Sequence, residues 1–142
     1  MIVQTTHVAP GYHPSDDEPF MNSKQLSYFK NKLQVWKNQL LQESAEAIHH
    51  LQEESRAEAD VIDSASNETD RALELRARDR ARKLINKIDD ALRRIEDGSY
   101  GYCEETSEPI GLKRLEARPI ATMCVEAQER HERKERAYRE GN

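Results

Sequence analysis

Apolar residues return at steps of three and four along two long stretches of this chain. From Ser23 to Ala59 the repeat reads Leu26, Phe29, Leu33, Trp36, Leu40, Ala47, Ile48 and Leu51. From Asn67 to Asp97 it reads Leu73, Ala77, Leu84, Ile88, Ala91, Leu92 and Ile95, with Arg80 or Ala81 filling the gap before Leu84. That spacing lays an apolar stripe along one side of an α-helix. Neither stretch contains Gly or Pro, so both are predicted to run unbroken. At about 1.5 Å per residue, an arm of ~30 residues extends roughly 45 Å. Ser23 stands where a helix cap is expected, just ahead of the first periodic residue.

The link between the arms is short and acidic: Asp60-Val61-Ile62-Asp63-Ser64-Ala65. Two helices joined by so short a link are expected to fold back antiparallel. One continuous helix pairing with a second copy is the alternative, since the link holds no strong breaker. Asp60, Asp63, Ser64 and Ser66 weaken helix propensity and can cap a returning helix, which favours the hairpin. The predicted antiparallel coiled coil covers residues 23–97 and turns near 58–67.

Residues 1–22 carry Pro10, Pro14 and Pro19, Gly11 and the run Ser15-Asp16-Asp17-Glu18, the pattern of a partly extended tail. Beyond Asp97, Gly98, Gly101, Pro109 and Gly111 punctuate short β-prone pieces, and Pro119 opens a charged segment, Ile120 to Arg139, with helical periodicity. Aromatic residues cluster outside the middle of the chain, with Phe20, Tyr28, Phe29 and Trp36 on one side and Tyr100 and Tyr102 on the other. A small globular head is predicted where these regions meet. The expected fold is mainly α: a long antiparallel coiled-coil hairpin, a small zinc-finger-like head and a C-terminal helix over 98–142.

Composition narrows this reading. Charged residues make up 35% of the chain and hydrophobic residues 36%, enough for a narrow seam between helices but not for a wide core. The net charge of -5 argues against a general nucleic-acid binder, whose affinity comes largely from neutralising phosphates. The basic run from Leu75 to Lys83 reads as a solvated helix face with Arg/Asp pairing, or as a docking face for an acidic partner. No stretch of ~18 apolar residues suggests a membrane span. The first residues lack the basic start and apolar core of a signal peptide, so the cytoplasm is the expected compartment. No nucleophile stands beside a base in a recognisable motif, and no phosphate-binding glycine loop is present, so an enzyme is not expected.

Cys103 and Cys124 each open a potential metal knuckle. In a zinc ribbon each would be followed, at the third position on, by a second Cys, completing four thiolates. Here those positions are Thr106 and Ala127. Two thiolates do not close a tetrahedral site, and Glu104, Glu105, Glu126 and His131 do not lie at ribbon spacing. The module is therefore expected to hold together without zinc, by packing of Tyr100, Tyr102, Ile110, Leu112, Leu115 and Met123. A reversible disulfide between the two thiols is the redox alternative.

The run Gly101-Tyr102-Cys103-Glu104, followed by Ile110-Gly111-Leu112-Lys113-Arg114-Leu115-Glu116-Ala117-Arg118-Pro119, resembles the signature of the DksA/TraR family. The likeness extends back through Leu73-Glu74-Leu75-Arg76, Arg78-Asp79-Arg80, Lys83-Leu84-Ile85 and Lys87-Ile88. It continues into the first arm at Met21-Asn22, Gln25-Leu26, Trp36 and Asn38-Gln39-Leu40. The resemblance implies a regulator that binds RNA polymerase, inserts its coiled coil into the secondary channel and, with ppGpp, destabilises promoter open complexes. Repression of ribosomal RNA promoters and activation of some amino-acid promoters in the stringent response would follow. It implies a tip motif Asp-x-x-Asp-x-Ala at Asp60, Asp63 and Ala65, and ppGpp contacts at Leu84, Lys87, Arg118 and Gln128. At Gln128 a well-known member carries lysine. The pattern Cys-x-x-Thr with Cys-x-x-Ala is similar to that of reduced-cysteine members. A single copy, with no base-specific DNA contact, is the expected active form. A self-associating coiled-coil scaffold and a thiol-redox regulator are the competing classes.

Overall fold

The structure, a computed structural model, describes residues 8–58 and 64–141, with side chains described for 8–54 and 68–141. Four helices follow one another: α1 (Ser23–Glu58), α2 (Ser64–Asp97), α3 (Leu112–Ala117) and α4 (Val125–Glu140). Among the described residues there is no β-strand; one isolated antiparallel bridge joins Tyr102 and Pro109. The chain divides into two compact units, residues 1–33 with 90–142, and residues 34–89.

The first unit is a densely packed core. Phe29, Leu33, Ala91 and Ile95 from the two long helices are buried together with Tyr100, Ile110, Leu112, Leu115, Ile120, Ala121 and Ala127. The Phe29 and Tyr100 rings lie 5.7 Å apart, and Phe20 stands edge-on to Tyr102 at 5.5 Å. These contacts bring Phe20, Tyr28 and Phe29 together with Tyr100 and Tyr102 in one head, whereas Trp36, expected with them, belongs to the second unit. The Tyr100 hydroxyl donates to the Pro119 carbonyl at 2.8 Å inside this core, which satisfies the only polar atom of a buried ring. Lys32 binds the Glu116 carboxylate at 2.5 Å and the Glu116 carbonyl at 3.0 Å, tying α1 to α3. Partial burial pushes the Glu116 carboxyl up, but hydrogen bonds from Lys32 and Tyr28 hold it below the usual carboxylate range.

Local chemistry sets the ends of the helices. The α1 cap is Asn22, one residue before Ser23: its Oδ1 accepts the Gln25 N–H at 2.9 Å. The Gln25 side chain, fully buried, accepts from the Met21 N–H at 2.8 Å and donates to the Ser15 carbonyl at 3.2 Å. The Asn-x-x-Gln spacing is that of a capping box. α2 ends at Gly98, whose φ of 85° is the left-handed conformation that terminates a helix, and the Ser99 N–H closes on the Arg94 carbonyl at 3.0 Å. Gly101 has φ 91°, and a Cβ there would meet Met21 Cγ at 2.9 Å, so both backbone and packing demand glycine. Residues 8–22 form successive turns over α1. Tyr12 and His13 stand edge-on to Tyr28, and the Tyr12 hydroxyl donates to Glu18.

In the second unit α1 and α2 pair antiparallel. Lys37 binds Asp89 at 2.7 Å, and His50 Nδ1 lies 2.8 Å from Glu74, so residue numbers rise on one helix as they fall on the other. The seam is thin, with Leu40 and Ile88 buried and Ala47, Ile48, Leu51, Ala81 and Leu84 half-buried. The expected seam residue Leu73 is instead 56% exposed, and Ala77 is also exposed. Counting back by sevens from Ile88 through Ala81 reaches Glu74, so the helix turns Leu73 outward and Glu74 inward.

Candidate functional site

The two cysteines occupy a built knuckle in the first unit. Cys103 follows the Tyr102–Pro109 bridge. Its N–H donates to the Glu108 carbonyl at 2.8 Å, and its carbonyl accepts the Ser107 N–H at 2.9 Å. Ser107 has φ 60°, a left-handed turn that brings Thr106 back over the sulfur. Cys124 is the residue before the first turn of α4, and Ala127 lies buried in that turn. The Glu104 N–H donates to the Thr122 carbonyl at 2.9 Å, joining the two knuckles.

Both thiols are free and buried. Burial pushes the Cys103 thiol up. The Thr106 hydroxyl and the backbone N–H groups of Cys124, Thr106 and Glu105 outweigh that effect and bring it from 9.0 down to about 6. These donors surround one sulfur as they would a small anion. The donor set does not fit a four-thiolate zinc centre. Of the positions such a centre needs, Thr106 is engaged as a hydrogen-bond partner of Cys103 and of the Glu108 N–H, and Ala127 is a buried methyl. Thr106, at a position where a four-cysteine knuckle carries a ligand, instead hydrogen-bonds the Cys103 sulfur, a role invisible in the spacing of the cysteines.

Of the implied tip residues, Asp60 and Asp63 lie outside the described residues, and Ala65 is in the first turn of α2 with its side chain outside them. Of the implied ppGpp contacts, Leu84 and Lys87 sit three residues apart on α2 in the second unit, half-buried and exposed respectively. Arg118, exposed, ends α3, and its N–H donates to the Arg114 carbonyl at 2.8 Å. The Gln128 amide donates to Glu132 at 3.1 Å along α4. Among the described residues no helix is long and apolar enough to cross a membrane.

Fold and site together define a class: antiparallel helical hairpins with a two-knuckle head, here with Thr106 and Ala127 at two of the four positions that carry cysteine in a zinc ribbon. Comparison with known proteins places the chain within that class. The profile described as "DnaK suppressor protein DksA, N-terminal domain" matches residues 25–95, and that for the "Prokaryotic dksA/traR C4-type zinc finger" matches residues 98–133. The chain belongs to the DksA family. It is 70% identical over 129 residues to the RNA polymerase-binding transcription factor DksA of Caulobacter vibrioides (strain NA1000 / CB15N), covering 91% of each chain. It is 44% identical over 115 residues to that of Escherichia coli (strain K12), covering 81% of this chain and 76% of the relative. The solved structure of transcription factor DksA2 from Pseudomonas aeruginosa superposes with a TM-score of 0.78 at 41% identity, covering 84% of this chain and 95% of that one.

Proposed function

We propose that this protein is a transcription regulator that binds RNA polymerase and acts on it without catalysis of its own. The observation that carries the reading is the 70% identity, over nine-tenths of both chains, to an RNA polymerase-binding transcription factor. At that identity the surface that meets a large partner is expected to be kept along with the core. The hairpin enters the secondary channel, and Asp60 and Asp63, with Ala65, act at its turn through charge and shape. A regulator of this kind shifts promoter complexes only by as much as it binds one state better than another. The net charge of -5 supports action through the polymerase, not through DNA phosphates.

ppGpp joins at Leu84, Lys87, Arg118 and Gln128. Lys87 and Arg118 supply cationic charge for its phosphates. Gln128 supplies none, so synergy with ppGpp is weaker than in members with lysine there. The head needs no zinc, because a packed core and the hydrogen bonds around Cys103 do what a metal would. A single copy suffices, since the seam a self-associating scaffold would use is closed between α1 and α2 of one chain.

The test is run-off transcription from a ribosomal RNA promoter with purified RNA polymerase, with and without ppGpp, in chelator-treated buffer. The expected result is inhibition that deepens modestly with ppGpp. The variant with both Asp60→Asn and Asp63→Asn is expected to bind polymerase as the native chain does and to lose the inhibition. Absence of both polymerase binding and inhibition in a folded native protein would overturn the reading.

A further inference from the structure

Two positions of the hairpin seam carry carboxylates where the heptad calls for apolar side chains. In the second unit the inward row of α1 runs Leu40, Ala47, Glu54, and that of α2 runs Ile88, Ala81, Glu74. The seam thus shrinks from large aliphatic residues to alanine and then to two facing glutamates. Like charges at facing seam positions disfavour the pairing of the helices unless a cation lies between them.

His50 stands one turn before Glu54 on the same helix. Its Nδ1 is 2.8 Å from Glu74 Oε1, and its Nε2 is 3.7 Å from Glu54 Oε1. One ligand atom from each of the three residues lies within 4.8 Å of the others. Both glutamate side chains are only about a quarter exposed, 24% for Glu54 and 25% for Glu74. The second oxygen of each carboxylate, Oε2, is buried with no hydrogen-bond partner among the described residues. The imidazole nitrogens approach only the Oε1 atoms, at 2.8 and 3.7 Å, and leave both Oε2 atoms unanswered. An ion that can take either oxygen, or both, of each carboxylate answers all four.

We propose that His50, Glu54 and Glu74 bind one divalent transition-metal ion, of which Zn2+ is the representative, and that this ion clasps α1 to α2. One imidazole nitrogen with two carboxylates suits Zn2+ or Mn2+ better than Mg2+ or Ca2+, which prefer oxygen alone. Metal–ligand bonds of about 2.0–2.2 Å place ligand atoms roughly 3–3.5 Å apart, so the three atoms, now within 4.8 Å of one another, have to draw together by at most about 2 Å. His50 is itself exposed, which leaves room for water to complete the coordination and for the ion to exchange. Of the described ion pairs that join α1 to α2, this is the one closest in sequence to the link 59–63, so the clasp fixes the two arms at that end of the paired seam. Binding is read on the free protein and does not depend on the polymerase reading.

The experiment is calorimetric titration of the full chain with Zn2+, with Mg2+ as the control ion, alongside absorption spectra with Co2+. The expected result is one Zn2+ site that weakens at least about tenfold in His50→Gln and in Glu74→Gln. It is expected to survive in the Cys103→Ser/Cys124→Ser variant and to stay unchanged in His49→Gln, whose imidazole pairs with Glu53 instead. Co2+ at this site is expected to show ligand-field bands without thiolate charge transfer. Zn2+ is also expected to raise the helix melting midpoint of the native chain and not of Glu74→Gln. Each variant is checked for native helix content without metal, and Glu54→Gln replaces any that fails. Three results would overturn the clasp: no Zn2+ binding by the native chain, equal binding in the glutamine variants, or loss of the site in the cysteine variant.

Discussion

The two units of this chain are built on opposite economies of burial. The first packs aromatic and aliphatic side chains from four helices and two knuckles, and holds Tyr100, Phe29, Leu33, Ile95 and Leu115 almost wholly out of water. Among its described residues the second buries only Leu40 and Ile88 and relies on half-buried alanines, ion pairs and helix propensity. The contrast fits the proposal that the head needs no zinc. On the reading proposed above, a head with its own core holds together with Thr106 and Ala127 at two ligand positions, since packing supplies its stability. The hairpin has no such reserve, and it is there that a set of potential metal ligands stands across the seam.

This comparison can be broken at its strongest point first. Leu115→Ala removes a fully buried side chain of the head and is expected to destabilise the protein by about 2–5 kcal/mol, read by chemical denaturation. A loss below about 1 kcal/mol would mean the head is not held by its core. Replacing both Glu54 and Glu74 with Leu extends the apolar seam. It is expected to stabilise the metal-free hairpin by about 1–3 kcal/mol, as apolar replacement of poorly paired buried charge does. Helix melting in chelator gives the answer, and destabilisation would show the carboxylates already well satisfied.

A subtler effect concerns Cys103. Its folded value of about 6 lies below its ordinary value of 9.0. For an acid with a lowered value, the stabilising contribution is complete above the ordinary value and is lost as pH falls through the folded one. Stability is therefore expected to decline from pH 9 toward pH 6 by an amount absent in Cys103→Ser, and the ultraviolet absorbance of the thiolate is expected to titrate near 6. The smallest effect belongs to Leu73→Gln, expected to stay within about 0.5 kcal/mol because the side chain faces solvent. A cost of 2 kcal/mol or more, of the size seen for buried leucines, would restore Leu73 to the seam.

Much of the fold is legible in the order of residues. The heptad steps of Leu33, Leu40, Ile88 and Ile95 announce two helices, the short acidic link announces their reversal, and the separated aromatics announce a head. The α1 cap is legible as well: Asn22 with Gln25 has the spacing of a capping box, although Ser23 stands one place nearer the periodic run. The inward turn of Glu74 was open to counting from Ile88, but apolar matching favours Leu73 at the neighbouring position, and only tertiary pairing breaks that tie.

The head was less legible. α3 is six residues long, too short for periodicity to register, and α4 begins at Val125, five residues beyond the expected Ile120, because Ile120 and Ala121 are drawn into the core. Cysteine spacing shows that two ligands are missing. It does not show that Thr106 hydrogen-bonds the Cys103 sulfur, which depends on the left-handed turn at Ser107.

By itself, then, the sequence determined the helices, their reversal and the family, because each of these is written in local periodicity or in motifs spread along the chain. The tertiary structure decided which carboxylates face inward, which hydroxyl serves a sulfur, and that His50, Glu54 and Glu74 meet. These depend on residues distant in the chain approaching within a few ångströms, and no local pattern records such an approach.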